Sequence, residues 1–177
     1  TPCGTLFPYT TLFRSALAQI KELGPAAYER ASKDSNVQLR AMGVTDLGTL
    51  SLRDAGAILA EALDDRRDHI RRMAAIGLGR LGDAAHADAL ISALTDPDAL
   101  VRRYAAEALV LLDHKPAIPY LLIALEGGTA AGHMARALTT LTGEDFGYVV
   151  HGDAVSRRAA IERGFRWWSE NADRFQP

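Results

Sequence analysis

The stretch Ile70-Arg71-Arg72-Met73-Ala74-Ala75-Ile76-Gly77-Leu78 returns 31 residues later as Val101-Arg102-Arg103-Tyr104-Ala105-Ala106-Glu107-Ala108-Leu109. A fainter copy stands 31 residues earlier, at Leu39-Arg40-Ala41-Met42-Gly43-Val44-Thr45-Asp46-Leu47. A second block keeps the same frame: Leu59, Ala62 and Leu63 match Leu90, Ala93 and Leu94, then Leu121, Ala124 and Leu125. Within each block apolar residues fall three or four apart, which places them along one side of a helix. Each copy therefore holds two helical segments, and neither can bury its stripe alone. A fixed period of about 20 to 50 residues marks units that stack to share one core. The expected fold is all-α, an α-solenoid of stacked antiparallel helix hairpins.

A polar pair repeats in the same frame, always six residues apart: Asp34 with Arg40, Asp65 with Arg71, Asp96 with Arg102. An aspartate just before a helix can cap its free amides and suits the positive end of the helix dipole. The arginine, a turn and a half inside, can reach back to that carboxylate or to the one in the adjacent repeat. The expectation is a structural ladder. The alternative is an arginine row for anionic ligands, against which stands the aspartate that accompanies every arginine.

Taken together, the pattern Asp-x5-Arg-x2-Ala-Ala-x2-Leu-x2-Leu-Gly followed by Leu-x2-Ala-Leu resembles HEAT-like repeats of the phycobilisome-lyase type. The resemblance covers about residues 16–142 and is clearest over Asp65–Leu94 and Asp96–Leu125, with degenerate copies on either side. Tetratricopeptide and ankyrin arrays have periods of about 34 and 33, and the ankyrin Thr-Pro-Leu-His turn is absent. The resemblance permits a bilin lyase or isomerase subunit without requiring one.

Both ends depart from the repeat. Residues 5–15, Thr-Leu-Phe-Pro-Tyr-Thr-Thr-Leu-Phe-Arg-Ser, resemble the in-frame translation of a common sequencing adapter, so residues 1–15 are set aside as non-native. Ala16–Leu23, followed by Gly24-Pro25, reads as the last turns of a truncated first helix, and the chain is expected to be the C-terminal part of a longer solenoid. Residues 143–177 read as a linker and a capping helix from about Ala154 to Asn171, with Ile161, Phe165 and Trp168 on one face and Ala160, Gly164 and Trp167 beside them. The Thr142-Gly143-Glu144-Asp145-Phe146-Gly147-Tyr148 segment and Trp167-Trp168 resemble the termini of some bacterial HEAT-repeat proteins, with Val149 where an aspartate is usual. A terminal repeat needs a solubilising cover. Tryptophans are also enriched in binding hot spots.

Chemistry-bearing motifs are sparse. The chain has 177 residues, 48% apolar and 24% charged, with net charge −2, and Cys3 and Arg14 fall in the segment set aside. No membrane span and no general affinity for polyanions follow. His69, His86, His114, His133 and His151 are scattered, with no His-x3-His pair to hold a metal. The His-Glu pairs that identify the HEAT-like iron enzyme deoxyhypusine hydroxylase are missing. Gly77, Gly79 and Gly82 imitate a dinucleotide fingerprint but sit in a repeat helix with no strand before them, where small residues serve close helix packing. Among HEAT-like proteins, alkylpurine glycosylases grip DNA in a basic groove. Here Arg66, Arg67, Arg71, Arg72, Arg102 and Arg103 are interleaved with Asp64, Asp65, Asp68, Asp96 and Asp98, so nucleic acid is not the expected partner.

Along the second-block helices polarity falls toward the C-terminus, through Asp54, Ala85 and Pro116, then Ala57, Asp88 and Pro119, then Glu61, Ser92 and Ile123. The expected function is a non-enzymatic protein-interaction scaffold without cofactor or metal, its partner another protein; its location is left open, the native N-terminus being read as missing, with the cytoplasm favoured. Asp88, Ile91, Leu122, Ile123, Trp167 and Trp168 form the candidate partner surface, unless the terminal helix covers the apolar strip. A bilin lyase subunit is the alternative, ahead of a DNA-binding protein.

Overall fold

The computed structural model describes residues 30–33, 43–44, 55–127 and 129–175. The segment 1–15, the truncated helix at 16–23 and the pair Asp34 and Arg40 lie outside these residues. Seven α-helices are described: α1 (Ala55–Ala62), α2 (Asp68–Leu81), α3 (Ala87–Ala93), α4 (Ala99–Leu111), α5 (Ile118–Ala124), α6 (Ala131–Thr142) and α7 (Ala154–Asn171). Among the described residues there is no strand. Short 3-10 turns lead into α3 and α5.

The helices pair as α1 with α2, α3 with α4 and α5 with α6, and α2, α4 and α6 stack side by side. Leu59, Leu63, Leu90, Leu94, Leu121 and Leu125 are all buried, as are Ile70, Ala74, Ala75 and Leu78 with their counterparts Val101, Ala105, Ala106 and Leu109. Val44, the counterpart of Ala75 in the faint first copy, is also fully buried. Burying one such leucine contributes about 1.5–3 kcal/mol. The 31-residue frame is thus the frame of the core.

Small residues set the spacing. Gly79 packs so closely on α4 that an added Cβ would stand 2.9 Å from both Cα and Cβ of Ala108. Gly82 ends α2 in the left-handed region, φ 72°, a conformation that suits glycine because it has no Cβ to clash.

The frame slips at α6. Thirty-one residues beyond Ala105 and Leu109 stand Arg136 and Thr140, both exposed, whereas Met134 and Leu138, two residues earlier, are buried. Between α5 and α6 the chain runs through a 3-10 turn at Leu125–Gly127 and then Ala130 with φ 78°. Helix α6 begins at Ala131, one residue after the frame position of Ala99, and is turned so that its buried face falls two residues earlier.

Helix α7 lies on α5. Ala160, Ile161 and Gly164 are its buried residues. A Cβ on Gly164 would meet Leu122 Cδ2 at 2.3 Å. Phe165, expected on the packing face, is 38% exposed. The stripe instead continues through the half-buried Trp167 and Trp168, because positions 157, 160, 161, 164, 167 and 168 follow the 3.6-residue turn more closely. Asp153 caps α7 by accepting from the Ser156 amide at 2.9 Å. The glycine-rich linker is fastened at two points: the Tyr148 hydroxyl donates to the Leu125 carbonyl at 3.0 Å, and Arg163 donates to the Phe146 carbonyl at 2.7 Å.

Candidate functional site

The repeated arginines reach forward to the next repeat. Arg71 binds Asp96 with two parallel bonds, Nε to Oδ2 at 2.6 Å and a terminal nitrogen to Oδ1 at 2.8 Å. Its other terminal nitrogen donates to the carbonyl of Asp65, its own repeat's aspartate, at 2.9 Å. The Arg71 and Asp96 side chains are only 13% and 8% exposed. The bonds to Asp96 push the guanidinium pKa further up, against the opposite pull of burial. Arg102 makes the corresponding bond to the Asp96 carbonyl at 2.6 Å, but its forward partner is the carbonyl of Thr129 at 2.8 Å, with the Thr129 hydroxyl beside it.

The aspartates serve differently from the expected helix caps. Asp65 accepts from the Arg67 amide at 2.8 Å and Asp96 from the Asp98 amide at 2.8 Å, each closing the turn ahead of the helix. The cap of α4 is Asp98, which accepts from the amides of Leu100 at 3.1 Å and Val101 at 2.9 Å. Asp98 also takes two bonds from Arg72, at 2.9 and 3.0 Å, and Arg72 pairs in addition with Asp68 one turn back. Arg72 holds the Asp98 carboxyl below the usual carboxylate range, aided by those two amides. This second rung was not expected from the sequence. Its only signal is that Arg72 and Arg103 occupy the same repeat position.

Of the candidate partner surface, Asp88 is exposed, Ile91 is half-buried and Ile123 is 53% exposed. Leu122 does not belong to it: the residue is fully buried under Gly164. Trp167 packs edge-on against Phe146 at 5.9 Å, and Phe175 stacks on both tryptophans at 6.1 Å. Among the described residues no helix is long and apolar enough to cross a membrane, and no cluster of three or more His, Cys, Asp or Glu side chains offers a metal site.

A cleft of about 350 Å³ opens between α2 and α4, floored by Ile76, Gly79 and Ala108 and flanked by Tyr104 and Leu111. Arg80 and Glu107 complete its lining. The Arg103 guanidinium lies 5.3 Å from the Tyr104 ring centre and donates to Glu107 at 2.8 Å. His133 Nδ1 stands 3.9 Å from the same carboxylate. Burial, then the charge of Arg103, holds the imidazole below its usual range, with Glu107 opposing. The cleft thus combines apolar residues and an aromatic ring with one cation, Arg80, and one carboxylate, Glu107. Of these residues the sequence singled out only Gly79, as a small residue for close helix packing.

Known proteins were compared with this chain. A phycocyanobilin lyase subunit alpha of Picosynechococcus sp. is 43% identical over 91 residues, covering 48% of this chain and 34% of the relative. The subunit of the same name from Nostoc sp. is 36% identical over 107 residues, covering 55% of this chain and 39% of the relative. The chain therefore spans between a third and two-fifths of the length of these relatives. Among solved structures, the complex of CpcE and CpcF of phycocyanin lyase from Nostoc sp. matches with a TM-score of 0.64 at 24% identity, over 96% of this chain and 71% of that one. At that identity the likeness is one of fold. These relatives correct the expectation of a chain with no enzymatic role, because both curated proteins are subunits of a lyase. The family model for HEAT repeats matches residues 24–110 and 57–142, and the chain belongs to the HEAT-repeat family.

Proposed function

We propose that the chain is part of a bilin lyase subunit of the phycocyanobilin lyase alpha kind, and that it acts together with a second lyase subunit of the CpcF kind. The observation that carries this reading is the 43% and 36% identity to two such subunits. The fold supports it, since the solved likeness is a complex of two lyase proteins. The repeats would then form a rigid frame that holds the bilin and its acceptor protein in register, a positioning role that suits stacked helices bound by paired charges. A protein partner, expected from the sequence, enters this reading as the second subunit.

The test is reconstitution. The chain is co-expressed with a CpcF-type subunit, a source of phycocyanobilin and apo-phycocyanin, and covalent chromophore is followed by zinc fluorescence of the denatured acceptor. Attachment above that of a control lacking the chain is expected. A complex with the second subunit that attaches no chromophore, while an intact Nostoc CpcE in the same cells does, would overturn the proposal.

A further inference from the structure

The last described hairpin has the least polar outer surface. On α5 the outward positions hold Pro119 and Ile123, where α3 holds Asp88 and Ser92 and α1 holds Ala57 and Glu61. Tyr120 and Ile123 are both about half exposed. Phe165 of α7 is exposed as well, and it stands on the flank away from the linker, since Arg163 on the opposite flank is the residue that donates to Phe146. Because Gly164 between them seats on Leu122, Phe165 shares an outer surface with Ile123. A terminal unit needs a polar outer face to stay soluble, so an apolar patch of Tyr120, Ile123 and Phe165 there marks a surface made to be covered.

The charges of α7 identify the occupant. Arg158, Glu162, Arg166 and Glu170 follow one another every four residues along its exposed side, alternating in sign. Such alternation can support a solvated helix through pairs within it. Here none of the four makes an ion pair or a side-chain hydrogen bond to a described residue. Laid antiparallel about Gly164, the series is its own complement: Arg158 comes opposite Glu170, and Glu162 opposite Arg166. Self-complementarity of one patch is what a twofold contact requires.

We propose that the outer surface of α5 and α7 binds a second copy of the chain, α7 of each copy lying antiparallel beside α7 and α5 of the other. Phe165 then meets the second copy's Ile123 and Tyr120, and the alternating charges set the register. Apolar burial holds the pair together, because exposed ion pairs add little, whereas like charges brought opposite each other oppose it strongly. The contact is independent of the lyase reading.

Sedimentation equilibrium of the full chain over a concentration series is expected to show monomer and dimer in exchange, and Ile123→Glu to leave only monomer. Glu162→Arg and Arg166→Glu, each of which sets like charges opposite, should weaken the dimer about tenfold, and the double swap should return it to within about threefold of wild type. Helical circular dichroism checks each variant, and the charge swaps, made at exposed positions, decide the matter if Ile123→Glu unfolds. A wild-type chain that is monomeric at every soluble concentration overturns the proposal, as does a dimer indifferent to Ile123→Glu and to the single swaps. A double swap no tighter than the single ones overturns the antiparallel contact. A chain that stays monomeric alone but forms an Ile123-dependent complex with a CpcF-type subunit assigns the surface to that subunit and refutes the second copy.

Discussion

The two described junctions between repeats are built from the same residues with different acceptors. Between the α1–α2 and α3–α4 hairpins, Arg71 and Arg72 each grip a carboxylate of the next repeat, Asp96 and Asp98. Between the α3–α4 and α5–α6 hairpins, Arg102 holds Thr129, and Arg103 turns back to Glu107 in its own helix. Arg102, without a carboxylate ahead of it, still makes hydrogen bonds, but to neutral groups that cost less to leave unpaired. Both junctions have a charged donor, but only the first adds the attraction of an opposite full charge to its hydrogen bonds. The first junction is therefore the stiffer, and the second ends where the repeat frame itself slips.

Four measurements would break or sharpen this contrast. The largest effect is expected for Asp96→Ala, which leaves the partly buried Arg71 without its carboxylate; urea unfolding should show a loss of about 3 kcal/mol, the low end for a buried pair. A loss below about 1 kcal/mol would make the two junctions equivalent. Next comes Gly79→Ala, where the new methyl would press on Ala108 and force α2 and α4 apart, costing about 1–3 kcal/mol by the same measurement. Unchanged stability would show that the α2–α4 spacing is slack. Arg102→Ala, at the second junction, removes bonds to neutral acceptors and strands no charge, so it should cost no more than about 1.5 kcal/mol. A cost matching Asp96→Ala would contradict the ranking.

The smallest effect is on pH dependence. Because the folded state lowers the Asp98 pKa, the carboxylate's contribution is complete above its unfolded pKa of about 3.9 and disappears as pH falls through the lower folded value. Asp98→Asn should therefore flatten the acid side of the stability profile and leave the second junction's variants unaffected. A profile as steep as wild type would show that Asp98 does not report on the junction.

Much of this was legible in the chain. The leucines at 59, 90 and 121, and their partners four residues on, announce the core because burial follows helical periodicity, which is local. The aspartate–arginine spacing likewise pointed to a ladder. Two features were harder to read. Arg72 and Asp98 lie 26 residues apart and become partners only because α2 and α4 stack in register. The slip at α6 turns on the connection through Ala130, which no apolar pattern marks. The α7 face was read one position wide, as Phe165 shows, because the three positions that defined it, 161, 165 and 168, span only about two turns of a longer helix. The outer strip was read without its cover: Leu122 looks as exposed as Ile123 in sequence, and only Gly164 of α7 separates their fates.

By itself the sequence determined the helices, their pairing and the residues of the shared core, since each follows from the order of apolar and polar side chains within one 31-residue unit. The tertiary structure decided which acceptor each arginine meets, where the apolar strip is covered and that a cleft opens between α2 and α4. Those outcomes depend on the distance and rotation between neighbouring helices, which are set by close packing of small residues across repeats and leave no periodic trace in any one of them.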